Sequence, residues 1–258
     1  VEHEYQVRRD GVLLDAREMI DDLPGLGPHL DPGDLHARRN SWGGITTADG
    51  AEAEIATPPV PLQPGFVTGV LDLVQRGEAL LAGALGPDAA LDGYSTHISV
   101  AVPDDTVVDV ALRLARHFAP ALGLLLDHAG SPGLLIRPRY GRLEVCSDFL
   151  PADRLRVGLV ATVGFVLAAE AGRDLPPRLR LRLEPARQRS GWYVDRAAYG
   201  VDLYTEGRDA TLRRRWHGTV GAADVLHQAW AAARHHLDGV TSSEEAAAVT
   251  AAIAAGVP

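Results

Sequence analysis

The sequence predicts an α+β fold: a mainly antiparallel sheet with one apolar face covered by helices, in a single domain over residues 1–258. Three observations lead there. Five segments have helical periodicity or composition, and the short segments between them alternate polar and apolar residues with a period of two. No tandem repeat or long low-complexity linker divides the chain.

In chain order, the first strand is Val1-Glu2-His3-Glu4-Tyr5-Gln6-Val7, with Val1, His3, Tyr5 and Val7 on one face and Glu2, Glu4 and Gln6 on the other. A Pro/Gly-rich loop covers 23–33, and a second covers 58–65. Between them, Glu52-Ala53-Glu54-Ile55 again places two carboxylates on one face. The first helix is expected at about 66–85. In Ser95-Thr96-His97-Ile98-Ser99-Val100, His97 and Ser99 lie opposite Ile98 and Val100. The second helix is expected over 104–125, with Asp104 and Asp105 as its start signal. Arg142-Leu143-Glu144-Val145-Cys146 sets Arg142 and Glu144 side by side, and a third helix over 152–171 follows Pro151. Arg178 to Glu184 alternates most regularly of all, and Tyr193 to Tyr204 supplies one more strand broken at Gly200. Helices at 221–237 and 243–256 close the chain, the last opened by the capping-box pair Ser242 and Glu245.

A polar sheet face can simply meet water, and that suffices for the Arg180 strand. It suits the carboxylate pairs less well. Like charges two residues apart on one face repel, so Glu2 with Glu4 and Glu52 with Glu54 invite a cation.

Composition narrows the classes. The net charge is -9, and all 25 basic residues are arginine; there is no lysine. The arginines alternate with acids and form no basic tract, which argues against nucleic acid as a partner. A single cysteine, Cys146, excludes an intrachain disulfide and zinc-knuckle spacing. The longest apolar stretch, Leu155 to Ala169, is interrupted by Arg156 and falls short of the ~20 residues a bilayer span needs. With no signal-like amino terminus, the expected compartment is the cytoplasm, with no membrane partner.

Magnesium prefers carboxylate oxygen, phosphate and water. Arginine complements it, since its planar fork pairs bidentately with phosphate or carboxylate and stays charged. Arg137, Arg139 and Arg142 stand just before Glu144. Acids and arginines together fit phosphoryl transfer from Mg-ATP. A P-loop or kinase lysine is impossible here, so phosphate must be held by arginine, metal and backbone amides.

Four segments resemble the glutamate–cysteine ligase-like amidoligases, carboxylate–amine ligases of the glutamine synthetase superfamily. Val1-Glu2-His3-Glu4-Tyr5 is similar to their first-strand Glu-x-Glu, and Glu54-Ile55-Ala56-Thr57-Pro58-Pro59 to their second acidic strand and its Pro-rich turn. Ser95 to Val100 resembles their His-containing strand, and Arg142-Leu143-Glu144-Val145 their later Arg-x-Glu strand. The ordered set carries the resemblance over roughly 1–150; over 151–258 it rests on helix placement.

The resemblance implies a curved, mainly antiparallel sheet with helices on its convex face, a glutamine synthetase-like catalytic domain. It implies Glu2, Glu4, Glu54, His97 and Glu144 around Mg, with Glu52 a weaker match. His97, Glu54 and Arg142 would contact the nucleotide, and Arg137, Arg139 and Arg142 would clamp phosphate or acyl phosphate. The reaction implied has two steps. A small-molecule, amino-acid-like carboxylate attacks the γ-phosphate of ATP to give ADP and an acyl phosphate, and an amine then displaces phosphate to form an amide. A homo-oligomer is compatible, since an edge strand could pair. Relatives often carry arginine where this chain has Cys146, which leaves the identity of the acyl donor open.

Two other readings stay open. A guanidino-group kinase of the same superfamily would use Cys146 and the arginines, and a non-catalytic relative would bind a nucleotide or a partner protein. His117, His128, His235 and His236 lack partner spacing for a ligand role, and Gly191-Trp192-Tyr193 reads as a core or turn aromatic rather than an adenine platform.

Overall fold

The computed structural model describes residues 1–31, 34–126, 133–199, 201 and 206–255; His128, Gly200 and Tyr204 lie outside them. The chain is mixed α/β with extensive antiparallel sheet, and it divides into two compact units. Unit 1 comprises Val1–Pro61, Gly65–His97 and Phe149–Ala152; unit 2 comprises Leu62–Pro64, Ile98–Asp148 and Asp153–Pro258. No helix among the described residues is long and apolar enough to cross a membrane.

Unit 1 contains β1 (Glu2–Arg9), β2 (Val12–Leu14), β3 (His29–Asp31), β4 (Asp34–Arg39), β5 (Ile45–Asp49), β6 (Glu52–Ala56), α1 (Phe66–Leu85) and β7 (Ala89–Ala101) as far as His97. Its strands run in the order β7-β1-β6-β5-β4-β3, with β2 also on β1. Alternation decides the faces. Tyr5, Val7, Ala53 and Ile55 are buried with Leu81 and Leu85 of α1 in one core, which leaves Glu2, Glu4, Glu52 and Glu54 on the opposite face of their strands. Gly77 lets α1 approach closely, since a Cβ there would come within 2.3 Å of Ile55 Cγ2. A bulge between Glu4 and Tyr5 resets the β1–β7 register. Glu2 pairs with His97 and Glu4 with Ser95 before it, and Tyr5 pairs with Gly93 after it. At Gly93 a Cβ would collide with the Phe149 ring, which packs on His3 and Tyr5.

Unit 2 opens with α2 (Val107–Arg113), a π-turn at Leu114–Phe118 and α3 (Ala119–Leu126). Then come β8 (Gly133–Arg139), β9 (Arg142–Asp148), α4 (Ala152–Glu170), β10 (Ala186–Gln188), β11 (Gly191–Asp195), β12 (Thr211–Arg213), β13 (Thr219–Gly221), α5 (Ala222–Ala233) and α6 (Ser243–Ala255). The strand order is β10-β11-β8-β9, and β12-β13 form a separate ribbon. Phe118 of the π-turn stacks on Phe165 of α4 at 5.5 Å, and Trp230 of α5 meets Phe165 edge-on. The capping box forms: Glu245 Oε2 accepts from the Ser242 amide at 2.7 Å, and Ser242 Oγ accepts from the Glu245 amide at 3.1 Å.

Three expectations are corrected. Arg178 to Glu184 is no ladder strand: Pro177–Leu179 form a 3-10 turn, and one bridge joins Leu181 to Arg214. The alternation is real in burial, since Leu179, Leu181 and Leu183 turn inward, but Pro176 and Pro177 break the strand at its start. The last predicted strand ends at Asp195, and Arg196–Tyr199 form a 3-10 turn. Asp104 does not start the second helix, which begins at Val107; its Oδ1 accepts from the Gly141 amide at 2.5 Å and caps the β8–β9 turn.

Candidate functional site

The polar face of unit 1 gathers side chains from four strands. Glu2 and Glu4 project from β1, Asp49 from β5, Glu54 from β6, and Ser95 and His97 from β7. Cross-strand register brings Glu4 opposite both Glu54 and Ser95, and Glu2 opposite His97. The β5–β6 hairpin turns at Gly50, where φ is +62°, and so returns the chain with Asp49 opposite Glu52 and Thr47 opposite Glu54.

The hydrogen bonds hold this face in a defined arrangement. Ser95 donates from Oγ to Glu4 Oε2 at 2.6 Å and lies 3.3 Å from His97 Nε2. His97 Nδ1 is 3.1 Å from Glu2 Oε2, and its Nε2 is 3.6 Å from Glu4 Oε1. One imidazole therefore spans the two β1 carboxylates. Glu4 and His97 are buried and Glu54 is half-buried.

Carboxylate oxygens of Glu4, Asp49 and Glu54 all lie within 4.8 Å of one another. No arginine pairs with any of these three among the described residues. The electrostatic strain shows in Glu54: burial, then the Glu2 and Glu4 charges, push its carboxyl up to about 8. Burial also raises Glu4, against the opposing effect of the Ser95 hydrogen bond and His97. His3, on the opposite face, is held down to about 3 by burial. An all-oxygen donor set of this span suits a hard divalent cation, whose ligating oxygens lie at most about 4 Å apart across one magnesium.

Glu2, Glu4, Glu54 and His97 are thus brought together. Asp49 joins them although it carries no motif; the signal that could have found it is Gly50, which with Ala51 makes a two-residue hairpin loop between Asp49 and the acidic strand. Glu52 stands outside the trio, paired in register with Asp49.

In unit 2, Glu144 on β9 is 1% exposed, and its Oε2 is ion-paired with Arg137 Nε and lies 3.3 Å from Arg139 Nε. Arg142 is exposed and sits opposite Arg139 in the ladder. Cys146 Sγ is 3.9 Å from Glu144 Oε2. Trp192 is buried on β11 with the Arg187 guanidinium 4.8 Å from its ring centre, which fits the core-aromatic reading.

No protein family matches the chain at the level of sequence, and no curated protein does. Solved structures do resemble it. The complex between prokaryotic ubiquitin-like protein Pup and its ligase PafA aligns at TM-score 0.52 and 12% identity, over 99% of this chain and 64% of that one. The Pup ligase PafA in complex with ADP aligns at TM-score 0.49 and 12% identity, over 93% and 63%. The chain spans less than two thirds of the length of either, and at this identity the first likeness is one of fold.

Proposed function

We propose that the chain is an ATP- and Mg-dependent carboxylate–amine ligase of the glutamine synthetase-like superfamily. The observation that carries this is the trio Glu4, Asp49 and Glu54, three carboxylates within 4.8 Å on one sheet face with no arginine paired to them among the described residues. The ordered motifs and a fold like that of a known ligase support it. The donor and acceptor are a carboxylate and an amine, free or carried on a protein; the PafA relative is the ligase of the protein Pup.

Within this function Glu4, Asp49 and Glu54 hold the metal, which when bound draws charge from the ATP phosphates. His97 keeps Glu2 and Glu4 in place through its two ring nitrogens, and Ser95 fixes the Glu4 rotamer. The resemblance assigns Arg137, Arg139 and Arg142 to phosphate or acyl phosphate and adds Glu144 to the metal ligands; the Glu144 carboxylate also fixes the direction of Arg137 and Arg139. In the first step the donor carboxylate oxygen bonds to the γ-phosphorus as the bond to ADP breaks. In the second the amine nitrogen bonds to the acyl carbon, phosphate leaves, and the nitrogen loses a proton.

The test is ATP consumption with hydroxylamine as a trap and a panel of amino acids and carboxylate-bearing peptides as donors. Acyl hydroxamate formed with ADP, and lost in Glu54→Gln, is the expected result. A phosphorylated guanidine would instead indicate the kinase, and no ATP consumption with any donor would indicate a binding protein.

A further inference from the structure

Unit 2 holds a pocket that the proposed ligase chemistry does not use. It has a volume of about 370 Å³ and lies between the α2–π-turn segment and the 174–183 segment, with Arg215 at its wall. That volume falls within the range of small-molecule sites, ~300–1,000 Å³.

Its polar wall is organised around one carboxylate. Asp174 Oδ1 accepts from Arg113 Nη1 at 2.9 Å and lies 3.4 Å from His117 Nε2, while Oδ2 accepts from Arg180 Nη2 at 2.9 Å. Two guanidiniums are thereby fixed by a single acid. Each carries five N–H donors, and few of them are used: Arg113 spends Nη1 on Asp174, and Arg180 adds only a long bond from Nε to the Leu175 carbonyl. Arg116 lines the same space, is exposed, and makes no ion pair with a described residue. Arg215 is a fourth guanidinium, tied to Glu184 at 2.9 Å.

Four arginines against Asp109 and Asp174 give the lining a positive balance in a chain whose net charge is -9. Counting Glu184, which pairs with Arg215 from outside the lining, leaves the balance positive by one. The buried Nδ1 of His117 has no hydrogen-bond partner. Leu112, Leu181 and Leu183 complete the wall with apolar surface. Planar, pre-oriented guanidinium donors beside an apolar wall match a small ligand with an oxyanion head and a short carbon body.

We propose that this pocket binds a small anionic molecule through its carboxylate or phosphate group. Arg113 and Arg180 act as a fork held rigid by Asp174, and Arg116 and Arg215 close on the anion. The ligase reading is not needed for this, because no residue of the acid face takes part.

The experiment is calorimetric titration of the full chain at fixed ionic strength, with EDTA present to remove divalent cations, using citrate in one arm and pyrophosphate in the other. Saturable binding of either is expected, and the arm that binds tighter names the head group. The double variant Arg116→Ala/Arg215→Ala, confined to accessible side chains, is expected to weaken it by at least about tenfold. Glu54→Gln is expected to leave it unchanged, which separates this site from the acid face. Absence of saturable binding in both arms, or equal binding by wild type and the double variant, would overturn the proposal. So would loss of binding in Glu54→Gln with the double variant intact.

Discussion

In unit 1, Glu4 faces Glu54 across β1 and β6 with Asp49 beside them, and no arginine comes to any of the three among the described residues. In unit 2, the fully buried Glu144 has Arg137 and Arg139 on the same carboxylate oxygen. Both sets are acids on sheet strands, and their energetics are opposite. The unit 2 acid is balanced by the chain itself, so its role in stability is complete without a ligand. The unit 1 acids repel one another, so the free protein bears a cost that a proton on Glu54 relieves in part and that a bound cation would relieve with all three ionised. A sheet face that costs stability is better explained by function than by folding.

The largest expected effect breaks the balanced side. Glu144→Ala leaves Arg137 with only 17% of its side chain exposed and without its carboxylate, and should lower unfolding free energy by ~3–5 kcal/mol in urea titrations. Glu54→Gln should do the reverse on the other side: the melting temperature holds or rises in metal-free buffer while magnesium-dependent nucleotide binding falls at least about tenfold. A large loss of stability in Glu54→Gln would erase the contrast.

Acid should act on unit 2 through His117. Burial holds its pKa below the ordinary 6.5, outweighing the pull of Asp174 in the other direction. The folded state then binds fewer protons than the unfolded chain, so this contribution is present above the ordinary value and is lost as pH falls through the lowered one. As pH falls below the ordinary 6.5, the urea midpoint of the wild type should fall relative to that of His117→Phe at the same pH, a difference that cancels the titration of other groups. Smallest of all, Arg139→Ala should cost ~1 kcal/mol or less, because its side chain is 42% exposed and Arg137 still serves Glu144. A loss matching that of Glu144→Ala would make Arg139 the principal partner.

Much of this was legible in the sequence where a short-range rule decides the outcome. The β1 and β6 alternation placed Glu2, Glu4 and Glu54 correctly, and the capping box placed α6. What escaped depends on partners distant in the chain. Asp49 becomes a site residue only because the hairpin register returns it beside Glu54, and the bulge after Glu4 is set by pairing with β7. The Arg178–Glu184 alternation misled because period two reports burial on one side, not a hydrogen-bonded neighbour on the other. The arginines of the unit 2 pocket are scattered from 113 to 215, and only the folded chain shows that Asp174 collects two of them.

The central claim is that the unit 1 acids are a metal–nucleotide site, and calorimetric titration of ADP with and without magnesium tests it most directly. The account predicts saturable binding that requires magnesium and disappears in Glu54→Gln while the variant stays folded. Binding of equal strength without magnesium, or in Glu54→Gln, would contradict it.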